Sequence, residues 1–450
     1  MRESRIARSS GVKYPDDFAL KGESVVWLHR VVNQPGLARR LGTFDAVIIG
    51  LGSMLGAGVF AAFSPAAAVA GAGLLIGLAV AALVAYCNAT ASAQLAAEYP
   101  TSGGTYIYGR ERLGPWWGFI AGWGFVIGKT ASCAAMALTF AAYVAPPAWG
   151  RPAAIAAVII LATVNYYGIT RTAALTKIII AVVLTTLALV VTASLSGTNG
   201  TASVGSWDLL AGGWYGILQS AGLLFFAFAG YARIATMGEE VRDPERVIPR
   251  AILTALTIAV SIYLVVGASI MVALGPAGVA ASPAPLAAAV EAAGWGWADL
   301  PVRLGAGAAA LGALLALIAG VSRTTLAMAR ENDLPRWLAA VHERHQVPHH
   351  AEIAVAGLVC VLILVTDLRS AIGFSSFGVL LYYLIANMAA YTQSTDRRRF
   401  PRILQIIGIL GCGILAITLP MSAVLGGAVV FAVGIGYRAL RVRIRRRDQS

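Results

Sequence analysis

Twelve long apolar runs follow one another through this chain, and they constrain its fold more than any other feature. They cover residues 44–71, 72–96, 116–144, 152–167, 173–195, 214–237, 250–275, 302–329, 350–366, 370–393, 403–419 and 420–439. A helix of roughly 20 apolar residues crosses a bilayer, and backbone groups in lipid must satisfy their hydrogen bonds internally. The runs lack the alternation of a membrane β-barrel. The sequence therefore predicts an all-α polytopic membrane protein with 12 transmembrane helices.

The composition argues against a water-soluble enzyme. Hydrophobic residues make up 58% of the chain and charged residues 12%, about half of the charged fraction typical of soluble globular proteins. The cysteines Cys87, Cys133, Cys360 and Cys412 all lie inside apolar runs, where a free thiol behaves as a small hydrophobic group. We therefore expect no disulfide, no metal site and no cofactor.

The formal net charge of +13 is a signal of membrane topology. Most of the 34 Lys and Arg residues lie in the N-terminal segment, in alternate loops and in the tail, whereas the intervening loops hold only Arg151, Arg303 and Arg369. Basic segments of membrane proteins face the cytoplasm. The pattern predicts a multi-pass protein of the cell membrane with both termini cytoplasmic, and it requires no nucleic acid as a partner.

Two of the runs contain glycines where a continuous helix disfavours them. The first run has Gly52, Gly56 and Gly58 at about mid-depth, and the sixth has Gly230 after an aromatic stretch. Glycine costs about 1 kcal/mol relative to alanine inside a helix. We expect an unwound stretch over residues 52–60 and a weaker break near Gly230. The alternative is that these glycines only allow close helix packing.

These two runs occupy matching places, since each is the first of five in the blocks of runs 1 to 5 and 6 to 10. Interrupted helices at matching places in two halves indicate the central binding site of a transporter. The free N–H groups of a half-helix favour a carboxylate, and free carbonyl groups favour an ammonium group. The pattern therefore predicts a site for a zwitterion between the two interrupted helices.

Four local motifs in this order resemble the amino acid–polyamine–organocation superfamily, and within it the permeases close to the cationic amino acid transporter branch. They are residues 52–60 (GSMLGAGVF), 99–108 (YPTSGGTYIY), 239–250 (EEVRDPERVIPR) and 322–335 (SRTTLAMARENDLP). The resemblance covers nearly the whole chain. It implies the leucine-transporter fold, with two inverted five-helix repeats, broken helices 1 and 6, and helices 11 and 12 outside the repeat.

The resemblance also implies a domain organisation and a function. The segments are a cytoplasmic N-terminal segment (1–43), the first repeat (44–195), an extracellular loop (196–213), the second repeat (214–393), helices 11 and 12 (394–439) and a basic cytoplasmic tail (440–450). The implied function is secondary active transport of an amino acid or related amine by alternating access, as a proton-coupled symport. An amino acid or polyamine exchanger is the alternative, and a nutrient receptor or channel is a more remote one. No catalytic residues are expected.

In the family, backbone groups of the two breaks hold the substrate. The carboxylate would contact amides of Ser53, Met54, Leu55, Gly56, Ala57 and Gly58, and the amino group would contact carbonyl groups of Phe225, Phe226, Ala227, Phe228, Ala229 and Gly230. Tyr231 follows as a gate or cavity residue. The cationic branch usually has Gly-Phe-Asp-Ala at residues 230–233, where this chain has Gly-Tyr-Ala-Arg. This departure puts a cationic substrate in doubt.

Basic residues inside the apolar runs have no acidic residue near mid-span to balance them. Lys129 lies about 20 Å along its helix from Trp116, too deep for its side chain to reach the interface. We hypothesise that Lys129 binds and releases a proton, its ammonium form standing in for a coupling cation. The alternative is a lysine held permanently by carbonyl and hydroxyl oxygens such as that of Ser132.

The remaining candidates have roles that the sequence alone leaves open. Arg233 can reach toward the acidic residues Glu239 and Glu240, which favours a structural or gate-forming ion pair over substrate contact. Ser375 and Ser376 offer hydroxyl groups that line the central cavity or simply pack. Lys177 and Arg323 are expected at the membrane interface. The five histidines, His29, His342, His345, His349 and His350, are expected in solvated loops, without a metal-binding arrangement.

Overall fold

The structure, a computed structural model, describes residues 41–100, 103–168, 173–196, 207–238 and 240–447. Within these ranges the chain is helical and contains no strand, apart from an isolated bridge between Leu41 and Val241. The expectation of an all-α chain is confirmed for this part of the molecule.

The α-helices are numbered here in chain order. They are α1 (Thr43–Met54), α2 (Ala57–Ala61), α3 (Phe63–Ala70), α4 (Leu74–Glu98), α5 (Thr105–Leu113), α6 (Pro115–Val144), α7 (Gly150–Tyr166), α8 (Ala173–Ser196), α9 (Gly213–Phe228), α10 (Ala232–Ala235), α11 (Pro244–Ala281), α12 (Pro285–Ala292), α13 (Asp299–Arg330), α14 (His349–Val365), α15 (Leu368–Tyr391), α16 (Arg402–Thr418) and α17 (Met421–Arg447).

The number of helices that can cross a membrane is close to the number expected. Among the described residues, ten helical segments are long and apolar enough to span a bilayer. Two further apolar helices, α14 and α16, have 17 residues each. A helix of that length measures about 26 Å, slightly less than the roughly 30 Å of a hydrocarbon core. The chain is therefore a multi-pass membrane protein, and twelve crossings remain a prediction.

Most helix bounds agree with the apolar runs to within a few residues, and the differences have local causes. α11 contains Gly275 in the left-handed region, with φ of 69°, next to Pro276, which matches the end of the run at residue 275. α17 continues to Arg447, beyond the apolar run, because arginine is a good helix former. The short helices α5 and α12 lie in connections whose composition did not reveal them.

Helix α6 lies at the centre of the bundle and packs closely against α15. A Cβ atom added to Gly128 would lie 3.0 Å from the Ser375 carbonyl oxygen, and one added to Gly378 would lie 2.7 Å from the Gly124 carbonyl oxygen. Small residues allow membrane helices to approach in this way. The close approach places Lys129 and Ser132 of α6 beside the hydroxyl-bearing part of α15.

Four connections meet at one face of the bundle. Arg110 of α5 forms an ion pair with Glu331, at 3.3 Å, and Arg112 donates a hydrogen bond to the Thr392 hydroxyl, at 3.2 Å. Arg399 donates to the Glu245 carbonyl oxygen, at 2.5 Å. We call the face that carries these arginines the basic face.

Candidate functional site

The first helix break is shorter than the glycine pattern predicts. α1 continues through Ser53 to Met54 and α2 begins at Ala57, so that only Leu55 and Gly56 lie outside a helix. Gly52 keeps helical geometry, and its missing side chain serves packing, since a Cβ there would lie 3.1 Å from Ile180 Cδ1. The first turn of α2 has no side-chain cap, so its N–H groups lack helical acceptors.

The second break is a tightened turn rather than an unwound stretch. α9 ends at Phe228, residues Ala229–Tyr231 form a 3₁₀ turn, and α10 follows directly. The turn leaves the Ala229 carbonyl oxygen available to other elements. It accepts hydrogen bonds from Lys129 Nζ, at 3.2 Å, and from the Tyr383 hydroxyl, at 3.5 Å.

The two breaks are in direct contact through their glycines. A Cβ atom at Gly58 would lie 2.6 Å from Ala227 Cα, and a Cβ atom at Gly230 would lie 2.3 Å from the Ser53 carbonyl oxygen. Contacts this short exclude any side chain at either position without displacement of the backbone. The structure therefore brings together the first-helix set, Ser53 to Gly58, and the sixth-helix set, Phe225 to Gly230.

A tyrosine that the sequence analysis did not single out joins the same two breaks. Tyr263 of α11 is buried, and its hydroxyl oxygen lies 2.6 Å from the Met54 carbonyl oxygen and 3.0 Å from the Ala227 carbonyl oxygen. Its ring also packs on Phe228, with centroids 5.0 Å apart. The available signal was a lone phenolic hydroxyl in the middle of the apolar run 250–275.

Lys129 projects from the middle of α6 onto the second break and is only 6% exposed. Apart from the hydrogen bond to Ala229, it has no carboxylate within ion-pairing distance in the part of the chain that the structure describes. Ser132, one turn further on, forms its hydroxyl contact with Ser375, at 2.6 Å. The ammonium group is thus held by a backbone carbonyl of the interrupted helix.

The remaining predicted residues surround this core. Tyr231 packs on Tyr383, with ring centroids 5.0 Å apart, and Ser376 is buried on α15. Arg233 is half-buried and forms no ion pair among the described residues, which do not include Glu239. Lys177 of α8 pairs with Asp45 in the first turn of α1, at 3.0 Å.

Four of the histidines gather in a cluster that their spacing did not reveal. The rings of His342, His345 and His349 surround Tyr166, and His349 lies against His350 with centroids 4.2 Å apart. Among the described residues, no set of three His, Cys, Asp or Glu side chains is arranged to hold a metal ion. The cluster packs the connection after α13 onto the end of α7.

Comparison with known proteins identifies a matching family and several similar transporters. A family model described as amino acid permease matches residues 41–436. The chain is 57% identical over 415 residues to an uncharacterized transporter of Mycobacterium tuberculosis, covering 92% of this chain and 94% of that protein.

Two more distant relatives have substrate names. The branched-chain amino acid permease BcaP of Bacillus subtilis is 24% identical over 401 residues, which is 84% of this chain and 85% of that protein. The human cationic amino acid transporter 4 is 28% identical over 379 residues, which is 78% of this chain and 59% of that protein.

Proposed function

Because the chain belongs to the amino acid permease family, we propose that it moves an amino acid across the cell membrane by alternating access, as a proton-coupled symport. It is a multi-pass transporter and not an enzyme. The observation that carries the proposal is the contact between the two interrupted helices at Gly58 and Gly230, with the Lys129 ammonium group on the Ala229 carbonyl oxygen.

The proposed substrate site uses backbone groups at the two breaks. The uncapped first turn of α2, at Ala57 and Gly58, would receive the substrate carboxylate. The Ala227 carbonyl oxygen, which lies 3.0 Å from the Tyr263 hydroxyl, would receive the substrate ammonium group. The aromatic residues Phe225 and Phe228 would pack on the substrate side chain.

A neutral amino acid is the substrate class that the charges favour. Lys129 places a positive charge at the second break, and no acidic side chain among the described residues pairs with it. A cationic substrate side chain would meet a like charge without a counterion, which costs several kcal/mol in a low-dielectric site. The name of the Bacillus subtilis relative, a branched-chain amino acid permease, agrees with a neutral substrate.

The proposed topology is the leucine-transporter arrangement with twelve crossings. Its repeats are residues 44–195 and 214–393, followed by helices 11 and 12 in 394–439, with residues 1–43 and 440–450 on the same side. The basic face, with Arg110, Arg112 and Arg399, is assigned to the cytoplasm by the positive-inside rule. This orientation also places both termini in the cytoplasm.

Lys129 is the proposed coupling group. In the protonated state its ammonium group attracts the Ala229 carbonyl oxygen and holds α6 on the second break. In the neutral state this charge-assisted bond becomes an ordinary one, roughly half as strong. Loss of the proton would therefore loosen the contact between α6 and the turn at Ala229–Tyr231. We assign this loosening to the return of the empty transporter, whereas the loaded transporter exchanges leucine with the proton in place.

Transport in proteoliposomes tests the proposal. We expect leucine or another neutral amino acid to enter faster when the outside is acidic, and counterflow of the same amino acid to proceed without a pH gradient. Lys129→Ala should abolish the gradient effect, whereas Lys177→Gln, at a half-exposed ion pair, should retain it. Wild-type rates with unchanged pH dependence in Lys129→Ala would refute coupling through Lys129.

The same assay separates symport from the alternative, exchange. An exchanger requires a counter-substrate inside the vesicles, so uptake into empty vesicles would vanish even under a proton gradient. Uptake into empty vesicles that follows the proton gradient supports symport.

A further inference from the structure

Five buried amide side chains form a second polar region, which the substrate site does not use. They are Asn88 and Gln94 on α4, Asn387 at the end of α15, Gln393 just beyond it, and Gln405 on α16. Every one of these side chains is 0% exposed. We call this set the amide seam. Burying an amide among apolar helices costs several kcal/mol unless its hydrogen bonds are satisfied, so the seam requires an explanation.

The upper part of the seam begins next to Lys129. The Tyr383 hydroxyl shares the Ala229 carbonyl oxygen with the Lys129 ammonium group, and the Asn387 amide donates to the Tyr383 carbonyl oxygen, at 2.9 Å. Asn387 also donates to Asn88 Oδ1, at 2.6 Å, and the Cys412 thiol donates to the same oxygen, at 3.3 Å. Tyr383 therefore contacts the second break through its hydroxyl group and the seam through its backbone carbonyl group.

The lower part of the seam reaches the basic face. Gln94 donates to the Ala390 carbonyl oxygen, at 3.3 Å, and Gln393 donates to the Gln94 carbonyl oxygen, at 3.5 Å, and to the Glu98 carboxylate. Glu98 in turn pairs with Arg112, at 3.7 Å. The seam thus ends at a carboxylate that is paired with an arginine of the basic face.

Gln405 lies at the level between these two parts. Its neighbour one turn along α16 is Gly408, where a Cβ would lie 2.3 Å from Asn387 Oδ1. At 1.5 Å per helical residue, Gln405 is about 4.5 Å nearer the basic face than Gly408, and α15 continues about 6 Å beyond Asn387 before it ends at Tyr391. Gln405 therefore lies at a depth between those of Asn387 and Gln393.

Several amide atoms of the seam have no protein partner in the described part of the chain. They are Asn88 Nδ2, Asn387 Oδ1, Gln393 Oε1, and both Nε2 and Oε1 of Gln405. The set holds two donors and three acceptors. Water is the group that satisfies both at once, and buried waters characteristically bridge such atoms.

We propose that the amide seam binds a file of water molecules through which the Lys129 proton reaches the basic face. The inference rests on the proposed proton-coupled transport. The Lys129 ammonium group loses one proton, each water accepts one proton and passes on another, and one proton leaves at Glu98; no electron is transferred. The amides only orient the waters and do not ionise. The titratable groups around the upper end are Cys133, Tyr231, Tyr382, Tyr383 and Cys412.

Gln405→Leu tests the route, because it removes the two unpartnered amide atoms and leaves an apolar side chain of similar size. In proteoliposomes with an entrapped pH dye, leucine-driven proton uptake should become about tenfold slower, or about 1.4 kcal/mol in the barrier. Leucine counterflow, which needs no proton release, should stay unchanged. Gln219→Leu, at a half-buried glutamine that donates to the Thr418 carbonyl oxygen, at 3.0 Å, is the matched control and should keep both rates.

The possible results distinguish failure of the proposed proton route from failure of the proposed proton-coupled transport. If wild-type protein carries leucine without proton uptake, the coupling proposal fails. If wild type couples and Gln405→Leu leaves proton uptake unchanged, or slows counterflow equally, the seam is helix packing and the route is refuted. Hydroxyl-radical labelling of the buried Cys412 is a second, independent test of bound water in the seam. Water beside this thiol should lead to its labelling in the wild-type protein, and an unlabelled Cys412 would refute the water file.

Discussion

The Tyr263 hydroxyl oxygen lies 2.6 Å from the Met54 carbonyl oxygen, so α11 holds the end of the first interrupted helix. The same hydroxyl lies 3.0 Å from the Ala227 carbonyl oxygen on the sixth membrane segment. A hydroxyl carries one proton and donates fully to one acceptor at a time. One of the two carbonyl groups is therefore left for another donor, such as the ammonium group of the proposed substrate.

Tyr263→Phe should weaken both stability and substrate binding. The substitution removes the donor that serves two buried carbonyl groups, and such a loss costs about 1–3 kcal/mol. We expect a lower Tm and a smaller thermal stabilisation by leucine. Tyr215→Phe, at an exposed ring, is the control and should change neither. A Tyr263→Phe protein with the wild-type response to leucine would show that this hydroxyl has no part in the site.

Alanine at Gly58 or Gly230 should abolish transport. Each new Cβ would fall 2.6 Å from Ala227 Cα or 2.3 Å from the Ser53 carbonyl oxygen, and these backbone atoms cannot yield without separating the two breaks. Counterflow of leucine measures the loss. Gly357→Ala is the matched control, because nothing lies within 4 Å of a Cβ there and alanine favours a helix by about 1 kcal/mol. Active Gly58→Ala and Gly230→Ala proteins would contradict the proposed contact.

The sequence predicted the apolar helices well because length and hydropathy are local properties. The helix breaks were harder to predict, because a glycine can either interrupt a helix or allow a neighbouring helix to pack closely. Only the residues that contact the glycine in the folded protein distinguish the two. Gly52 packs against Ile180 inside a regular helix, whereas Gly56 interrupts the helix. Whether Gly52, Gly56 or Gly58 allows close packing or interrupts the helix depends on residues far along the chain, such as Ala227.

The polar contacts of the site could not be predicted for the same reason. Tyr263 is the single phenolic hydroxyl in its apolar run, and its partners Met54 and Ala227 come from two other segments. Lys129 was identifiable by its depth alone, because a charge in mid-membrane requires a special environment. Its acceptor, the Ala229 carbonyl oxygen, exists only because of the 3₁₀ turn at residues 229–231.

Asp333→Asn should destabilise the protein strongly. Asp333 is buried at the exit of α13 and pairs with Arg438 of α17, at 2.5 Å, while Tyr106 donates to its other oxygen, at 2.9 Å. Removing one partner of a buried ion pair costs about 3–5 kcal/mol.

A fall in Tm measured by thermal shift checks the Asp333 prediction. The control is Asp299→Asn, which breaks an i,i+4 pair with Arg303 in which both side chains are about one-third exposed. An exposed pair of this kind contributes at most about 1 kcal/mol. Equal effects of the two substitutions would show that burial of Asp333 does not strengthen its pairing.

Asp367 should contribute pH-dependent stability at the start of α15. Its carboxylate accepts a hydrogen bond from the Ser370 N–H group, at 2.9 Å, and caps the helix. Burial alone would raise the pKa of Asp367, but the hydrogen bonds from Ser370 outweigh burial and hold this pKa below its usual value. Because the folded-state pKa is lowered, the stabilisation is complete above the unfolded-state pKa of about 3.9 and is lost as the pH falls through the folded-state pKa.

Asp367→Ala should therefore lower the unfolding free energy by about 1 kcal/mol at pH 7, the usual contribution of an N-cap. The difference in Tm between wild type and Asp367→Ala should persist down to about pH 5 and shrink below about pH 4. Asp367→Asn is the control, because its amide oxygen keeps the cap without a titrating charge. A difference between wild type and Asp367→Ala that stays constant from pH 7 to about pH 3 would contradict a cap formed by the charged carboxylate.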